Sequence, residues 1–169
     1  MKSILTLLFF SMTLFSLEIG STIPSTTLEG DNGGKLDGSA FSSHTLRDKV
    51  HVIFYVDPDE KDLNNPLSDA LKAEAFDRSK YGSVAIINMD ATWLPNFAIA
   101  SSLEEKQEKF PDTLYVKDLQ KVLVEQWDIA DDNSDIIILD KNGNVLYVYE
   151  GKLDEEQIST VIALVKENI

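Results

Sequence analysis

Val50-His51-Val52-Ile53-Phe54-Tyr55-Val56-Asp57-Pro58-Asp59 is the stretch on which the fold turns. Its first seven residues are apolar, β-branched or aromatic, with His51 as the one polar member. A strand with one wet face alternates polar and apolar side chains, whereas a strand covered on both faces does not. The run therefore predicts a central strand with packed layers above and below it. Pro58 ends the strand, because proline has no N–H to give to a ladder. Asp57 and Asp59 stand where acids cap the free amides of a following helix.

Outward from that strand, the pattern alternates. Leu63, Leu67, Ala70, Leu71 and Ala75 recur at spacings of three and four, predicting a helix over 61–76. Val84 to Met89 predicts a second buried strand, and Phe97 to Lys109 a second helix closed by Pro111. Thr113 to Val116 reads as a short strand, and Lys121 to Trp127 as a short helix or turn. Asp135 to Asp140 is again a strand of the buried kind. The turn Lys141-Asn142-Gly143-Asn144 folds it back onto Val145 to Tyr149 as a hairpin. Asp154 to Asn168 closes the chain as a helix with Ile158, Val161, Ile162 and Val165 on one side. Upstream, Gly30-Asp31-Asn32-Gly33-Gly34 predicts a turn between short extended pieces. The order is that of an α/β fold. Strands joined by helices, hence parallel, come first, and an antiparallel pair is added last.

With 169 residues, 43% of them hydrophobic, the chain holds enough apolar material for one domain with a true core. Lys and Arg number 15 against 29 Asp and Glu, a net charge of −14. Nucleic-acid affinity comes largely from cations displacing counterions, so nucleic acid and anionic membrane surfaces are excluded as partners. Met1-Lys2-Ser3 followed by the apolar run Ile4 to Phe15 has the charge and length of a secretory signal peptide, too short to span a bilayer. Residues 1–16 are expected to be removed after Ser16, leaving a domain over 17–169 without stable membrane insertion. There is no cysteine, which excludes disulfide exchange, thiolate nucleophiles and cysteine-based metal sites.

Lys49-Val50-His51-Val52-Ile53-Phe54 resembles the first central strand of exported thioredoxin-like proteins. Ile138-Leu139-Asp140-Lys141-Asn142-Gly143-Asn144-Val145 resembles their late hairpin, and Tyr149-Glu150-Gly151 the glycine after it. More closely, the chain is similar to the YtfJ family of small periplasmic proteins of Gram-negative bacteria. Arg47-Asp48-Lys49-Val50, Ala100-Ser101-Ser102-Leu103-Glu104, Phe110-Pro111 and the stretch Trp127 to Gly143 carry that similarity. The resemblance implies a thioredoxin-like fold, a central mixed sheet flanked by helices with a C-terminal hairpin and helix, and a periplasmic location. On this pattern the redox pair would fall in Pro58-Asp59-Glu60-Lys61-Asp62-Leu63, which holds no sulfur. The cis-proline of the family would fall at Ser134. Both departures imply that the redox activity is lost.

Candidate sites are few. Asp57, Asp59, Glu60 and Asp62 form one acidic group, and Asp128, Asp131, Asp132 and Asp135 a second. Asp131, Asn133 and Asp135 follow the opening alternation of an EF-hand loop, which then fails at Ile136 and Asn142. If the fold is as expected, the loops lie side by side, and Pro58, Asp59, Glu60, Asp62, Asp132, Ser134 and Asp135 form one cleft at the strand ends. His44 and His51 have no neighbouring ligand motif, and Ser101-Ser102 have no local His or Asp partner. Trp93, Pro95, Phe97 and Ile99 are expected to pack as an inserted helix, the alternative being an exposed apolar patch for a partner. The expected role is that of a binding or accessory module for another periplasmic protein, with no catalytic residue, metal or cofactor. The alternative is a calcium-binding protein that uses the acidic cleft.

Overall fold

A computed structural model describes residues 17–169, the side chains of Asn96, Phe97 and Ala100 excepted. The expected leader, residues 1–16, lies outside the described residues. The strand quoted above is β4 (Val50–Val56), numbered after three short strands, β1 (Thr27–Leu28), β2 (Gly33–Lys35) and β3 (Phe41–Ser42). The later strands are β5 (Tyr81–Asn88), β6 (Thr113–Asp118), β7 (Ser134–Leu139) and β8 (Val145–Glu150). The helices are α1 (Asn65–Ala73), α2 (Asn96–Lys109), α3 (Val122–Trp127) and α4 (Glu155–Asn168).

The main sheet has six strands in the order β2-β6-β5-β4-β7-β8. β4, β5 and β6 run parallel, β7 and β8 are antiparallel additions beside β4, and β2 is an antiparallel edge beside β6. β4 is thus interior, and its unbroken apolar run feeds two cores. Ile53 and Tyr55 point into one, with Phe41, Ile86, Leu123, Trp127 and Ile137. Val50, Val52 and Phe54 point into the other, with Leu67, Leu71, Ile136, Ile138, Val161 and Val165 under α1 and α4. α4 is locked at its start by a reciprocal capping box between Asp154 and Gln157. β7 and β8 form the expected hairpin, and α4 follows it as the pattern required.

Three expectations are corrected. The helix expected from Lys61 begins only at Asn65, because Pro66 sits in its first turn, where proline is tolerated, and the preceding residues form a tight turn at Pro58–Glu60. Gly33 and Gly34 form a strand rather than a turn. A Cβ on Gly33 would lie 1.9 Å from the Lys117 carbonyl oxygen, so only glycine lets β2 approach β6. Trp93 does not pack inside. It is 88% exposed, on the loop before α2, while Ile99 is buried.

Candidate functional site

The two loops expected to be neighbours are joined directly. The Asp57 amide donates to the Asn133 carbonyl at 2.9 Å, and Val56 stands opposite Ser134 in the β4–β7 ladder. Asn64, buried between them, ties the region together. Its Nδ2 donates to Ser134 Oγ at 3.0 Å and to the Gly151 carbonyl at 2.9 Å, and its Oδ1 accepts from the Leu153 amide at 3.0 Å. Ser134, which the resemblance sets at the cis-proline position, is a buried, hydrogen-bonded residue, and among the described residues no peptide bond is cis.

Four of the eight acidic residues, Asp57, Asp59, Asp62 and Asp131, are occupied in holding the loops. Asp57 caps the turn by accepting from the Asp59 amide at 2.9 Å. Burial pushes its carboxyl above the usual range against the pull of that amide, and Asp59, Asp132 and Glu60 add repulsion. Asp59 accepts from the Thr92 hydroxyl at 3.1 Å. Asp62 is held below the usual range by hydrogen bonds from Asn65 and Lys106. Asp131 accepts from Lys121 Nζ at 2.9 Å and from Asn88 Nδ2 at 2.8 Å. Asp132, in the left-handed region at φ 56°, turns the chain into β7. Among the described residues no three His, Asp or Glu side chains converge in a group that could hold a metal ion. Asp135 is apart from the rest. It is fully buried with both carboxylate oxygens unpartnered, and burial with the nearby Glu150 pushes it up to about 7.

The open space of the molecule lies on the other face of the sheet. A cavity of about 590 Å3 runs between β4, β5 and β6 below and α1 and α2 above. Phe54, Leu71, Ile87, Ile99, Leu103 and Tyr115 are among its apolar walls. Ser83 and Ala85 sit in the middle of an interior strand, yet they remain partly exposed because they floor this chamber. Well-packed interiors leave few voids larger than a water molecule, whereas ligand pockets occupy roughly 300–1,000 Å3. Of the expected site residues, Pro58 and Asp59 line the chamber; Glu60, Asp62, Asp132, Ser134 and Asp135 do not.

Polar bridges, mostly from lysines, fasten α1 and its leading turn to α2 over the chamber. Lys61 Nζ donates to Ser102 Oγ at 2.9 Å, Lys109 pairs with Asp69 at 2.8 Å, and Lys72 Nζ donates to the Lys109 carbonyl at 2.7 Å. Lys106 bridges to Asp62 at 3.0 Å and also reaches Asn65. Tyr115 donates from below to the Lys106 carbonyl at 2.9 Å, and burial pushes its phenol up to about 12. Sequence reasoning missed Lys61, Ser102 and Lys106 as site residues. Their signal is faint, since Ile99, Ser102, Leu103, Lys106 and Phe110 follow a helical stripe only once α2 is placed on the sheet.

A parallel β4-β5-β6 core, an appended antiparallel hairpin and a ligand-sized chamber beside the strand-to-helix loop define a thioredoxin-like protein, here without cysteine. Residues 29–168 match the family described as "Bacterial protein of unknown function (YtfJ_HI0045)", and the chain belongs to that family. It is 31% identical over 128 residues to an uncharacterized protein of Haemophilus influenzae, covering 74% of this chain and 70% of that one. It is 26% identical over 159 residues to the uncharacterized protein YtfJ of Escherichia coli, covering 89% and 86% of the two. Among solved structures it resembles the thioredoxin domain of a thiol-disulfide oxidoreductase from Bacteroides vulgatus. There the TM-score is 0.63 at 19% identity, with 89% of this chain and 99% of that one covered, a likeness of fold alone.

Proposed function

We propose that this protein is an exported, non-catalytic binding module of the periplasm that holds a ligand in the chamber between α1, α2 and the sheet. The observation that carries the reading is the chamber itself, about 590 Å3, bordered by Pro58 and Asp59 of the loop where relatives of this fold carry sulfur. The chain has no cysteine to put there. The one carboxyl pushed close to neutrality, Asp135, belongs to the opposite face of the sheet, where it cannot serve a molecule in the chamber. A pocket with largely apolar walls and no cysteine fits retention of a molecule better than its conversion.

Titration of the mature chain with a neutral apolar fluorophore such as 1-aminoanthracene tests this. One saturable site is expected, and Ala85→Trp, which fills the chamber floor, should abolish it while the circular dichroism spectrum is kept. Non-saturable binding, or binding indifferent to Ala85→Trp, would overturn the reading. Release by osmotic shock, with the mass of a chain cleaved after Ser16, tests the location; retention in the cytoplasmic fraction would refute it.

A further inference from the structure

The chamber shares a wall with a second, smaller cavity of about 190 Å3 between α1 and α2, and the two have Lys61, Ser102 and Lys106 in common. The second cavity is polar; its remaining lining is Asp62, Asn65, Glu105 and Lys109. An apolar chamber opening beside a polar recess matches a molecule with a tail and a head. The sign of the head follows from the charges. The whole protein carries −14, yet the chamber lining holds Lys61, Lys72, Arg78 and Lys106 against Asp59 and Asp112. Arg78 is engaged by Asp112, and Lys106 by Asp62. Among the described residues Lys61 and Lys72 make no ion pair; each gives one N–H to a neutral oxygen, Ser102 Oγ and the Lys109 carbonyl respectively, which leaves further ammonium donors for an incoming anion. Lys61 stands where chamber and recess meet, with Lys106 beside it donating to the Lys61 carbonyl at 3.1 Å.

Resting on the chamber reading above, we propose that the ligand is a free long-chain carboxylate, its alkyl chain in the chamber and its head on Lys61 and Ser102 at the α1–α2 seam. A heavy atom with its hydrogens takes about the volume of a water molecule, roughly 30 Å3, so the chamber admits about twenty such atoms. A chain of about fourteen to sixteen carbons fits without filling every corner. Carboxylate on ammonium gives a charge-assisted hydrogen bond, roughly twice as strong as a neutral one. The Ser102 hydroxyl, which accepts from Lys61 Nζ, is free to turn its own proton to the carboxylate.

The test is displacement of 1-aminoanthracene from the mature chain by hexadecanoate, by hexadecan-1-ol and by phosphatidylglycerol vesicles. Hexadecanoate should displace the probe at least tenfold more effectively than the alcohol, and vesicles, which offer an anionic head without a free chain, should displace none. Lys61→Met should weaken hexadecanoate at least fivefold more than it weakens the alcohol and more than Lys72→Met weakens hexadecanoate, while Lys152→Met, outside both cavities, should alter neither by more than twofold. Equal displacement by acid and alcohol would overturn the carboxylate assignment and leave the chamber standing. Loss of hexadecanoate binding in Lys72→Met but not in Lys61→Met would overturn the placement of the head. Displacement by vesicles alone would overturn the free-acid assignment. Failure of the probe itself to bind would instead refute the chamber reading on which the assignment rests.

Discussion

Tyr55 and Asp135 stand directly opposite one another across the β4–β7 ladder, yet the Tyr55 hydroxyl donates to Asp118, at 3.2 Å, and leaves Asp135 unpartnered. Asp118 has two further donors, the amides of Val122 and Leu123, each at 2.9 Å. One buried acid thus accepts from three donors at the head of α3, and the other has no hydrogen-bond partner. Burial and Asp118 together push the Tyr55 phenol far up, so it remains a neutral donor.

Asp135 sets a pH dependence of stability whose sign is fixed. Its carboxyl is raised from the ordinary 3.8 to about 7, by burial first and by Glu150 second. Between those values the folded state keeps a proton that the unfolded chain has lost. Stability therefore falls as pH rises through that window and levels off above it. Asp135→Asn removes the group. Relative to the native chain, the variant should gain on the order of 3 kcal/mol between pH 4 and pH 8. Urea unfolding at several pH values measures this, and parallel stability curves for the two proteins would refute it.

Asn64 links α1, β7 and the β8–α4 connection through side-chain hydrogen bonds to Ser134, Gly151 and Leu153 from a buried position. Asn64→Ala takes the side-chain partner from the partly buried Gly151 carbonyl and from the buried Leu153 amide. The expected loss is about 2–4 kcal/mol. Asn64→Asp should be worse, since it replaces a donor to two acceptors with a buried charge. Thermal unfolding at neutral pH checks both, and wild-type stability in either variant would show that the tie is dispensable.

The contrast between Val50–Val56 and Asn64 shows where legibility stops. β4, the β7–β8 hairpin and α4 were readable because long apolar runs, a turn sequence and a helical stripe each admit one cheap arrangement. Asn64 was not. A polar residue in a helical-looking stretch reads as solvated until the fold brings Ser134, Gly151 and Leu153 around it, from positions at least seventy residues away in the chain. Pro66 did carry a usable sign, since proline in a first turn marks a helix start nearer Asn65 than Lys61. The chamber could not be read at all. Sequence shows which residues are apolar, but not that α1 and α2 are joined over the sheet by polar bridges such as those of Lys61 and Lys106. The adjacency of the two acidic loops followed from topology, whereas the hydrogen-bond partners that occupy Asp57, Asp59, Asp62 and Asp131 did not.

Gly33 is required by a close approach rather than by a turn. Its φ is +122°, and an added Cβ would overlap the backbone carbonyl of Lys117, which belongs to the neighbouring strand and cannot swing away. Gly33→Ala should detach the β2 edge from β6 and destabilise the protein by about 2 kcal/mol or more. Gly30→Ala, where a Cβ meets nothing but φ is still positive, should be milder. Hydrogen exchange at the amides of β6 would report the lost edge; unchanged protection in Gly33→Ala would contradict the registry.

The two tryptophans stand at opposite extremes and can be told apart by fluorescence. Trp127 is fully buried, and its indole N–H donates to Thr26 Oγ1 at 3.0 Å, while Trp93 is 88% exposed next to Leu94 of the chamber wall. Trp93→Phe should therefore leave a blue-shifted emission that acrylamide barely quenches. Trp127→Phe should leave a red-shifted, readily quenched emission and lower stability by roughly 1–3 kcal/mol, through the lost hydrogen bond and the space left behind. Acrylamide is the suitable quencher, because a net charge of −14 repels iodide and would mimic shielding. In the Trp127→Phe protein, the remaining indole reports the segment leading into α2. A ligand that fills the chamber should reduce its quenching by ordering that segment, and Ala85→Trp, which blocks the chamber, cannot serve as the control because it adds an indole. Ala85→Phe in the Trp127→Phe background fills the same floor without a new fluorophore. Quenching of Trp93 that responds to ligand equally with and without Ala85→Phe would separate the loop from the chamber and contradict their shared wall.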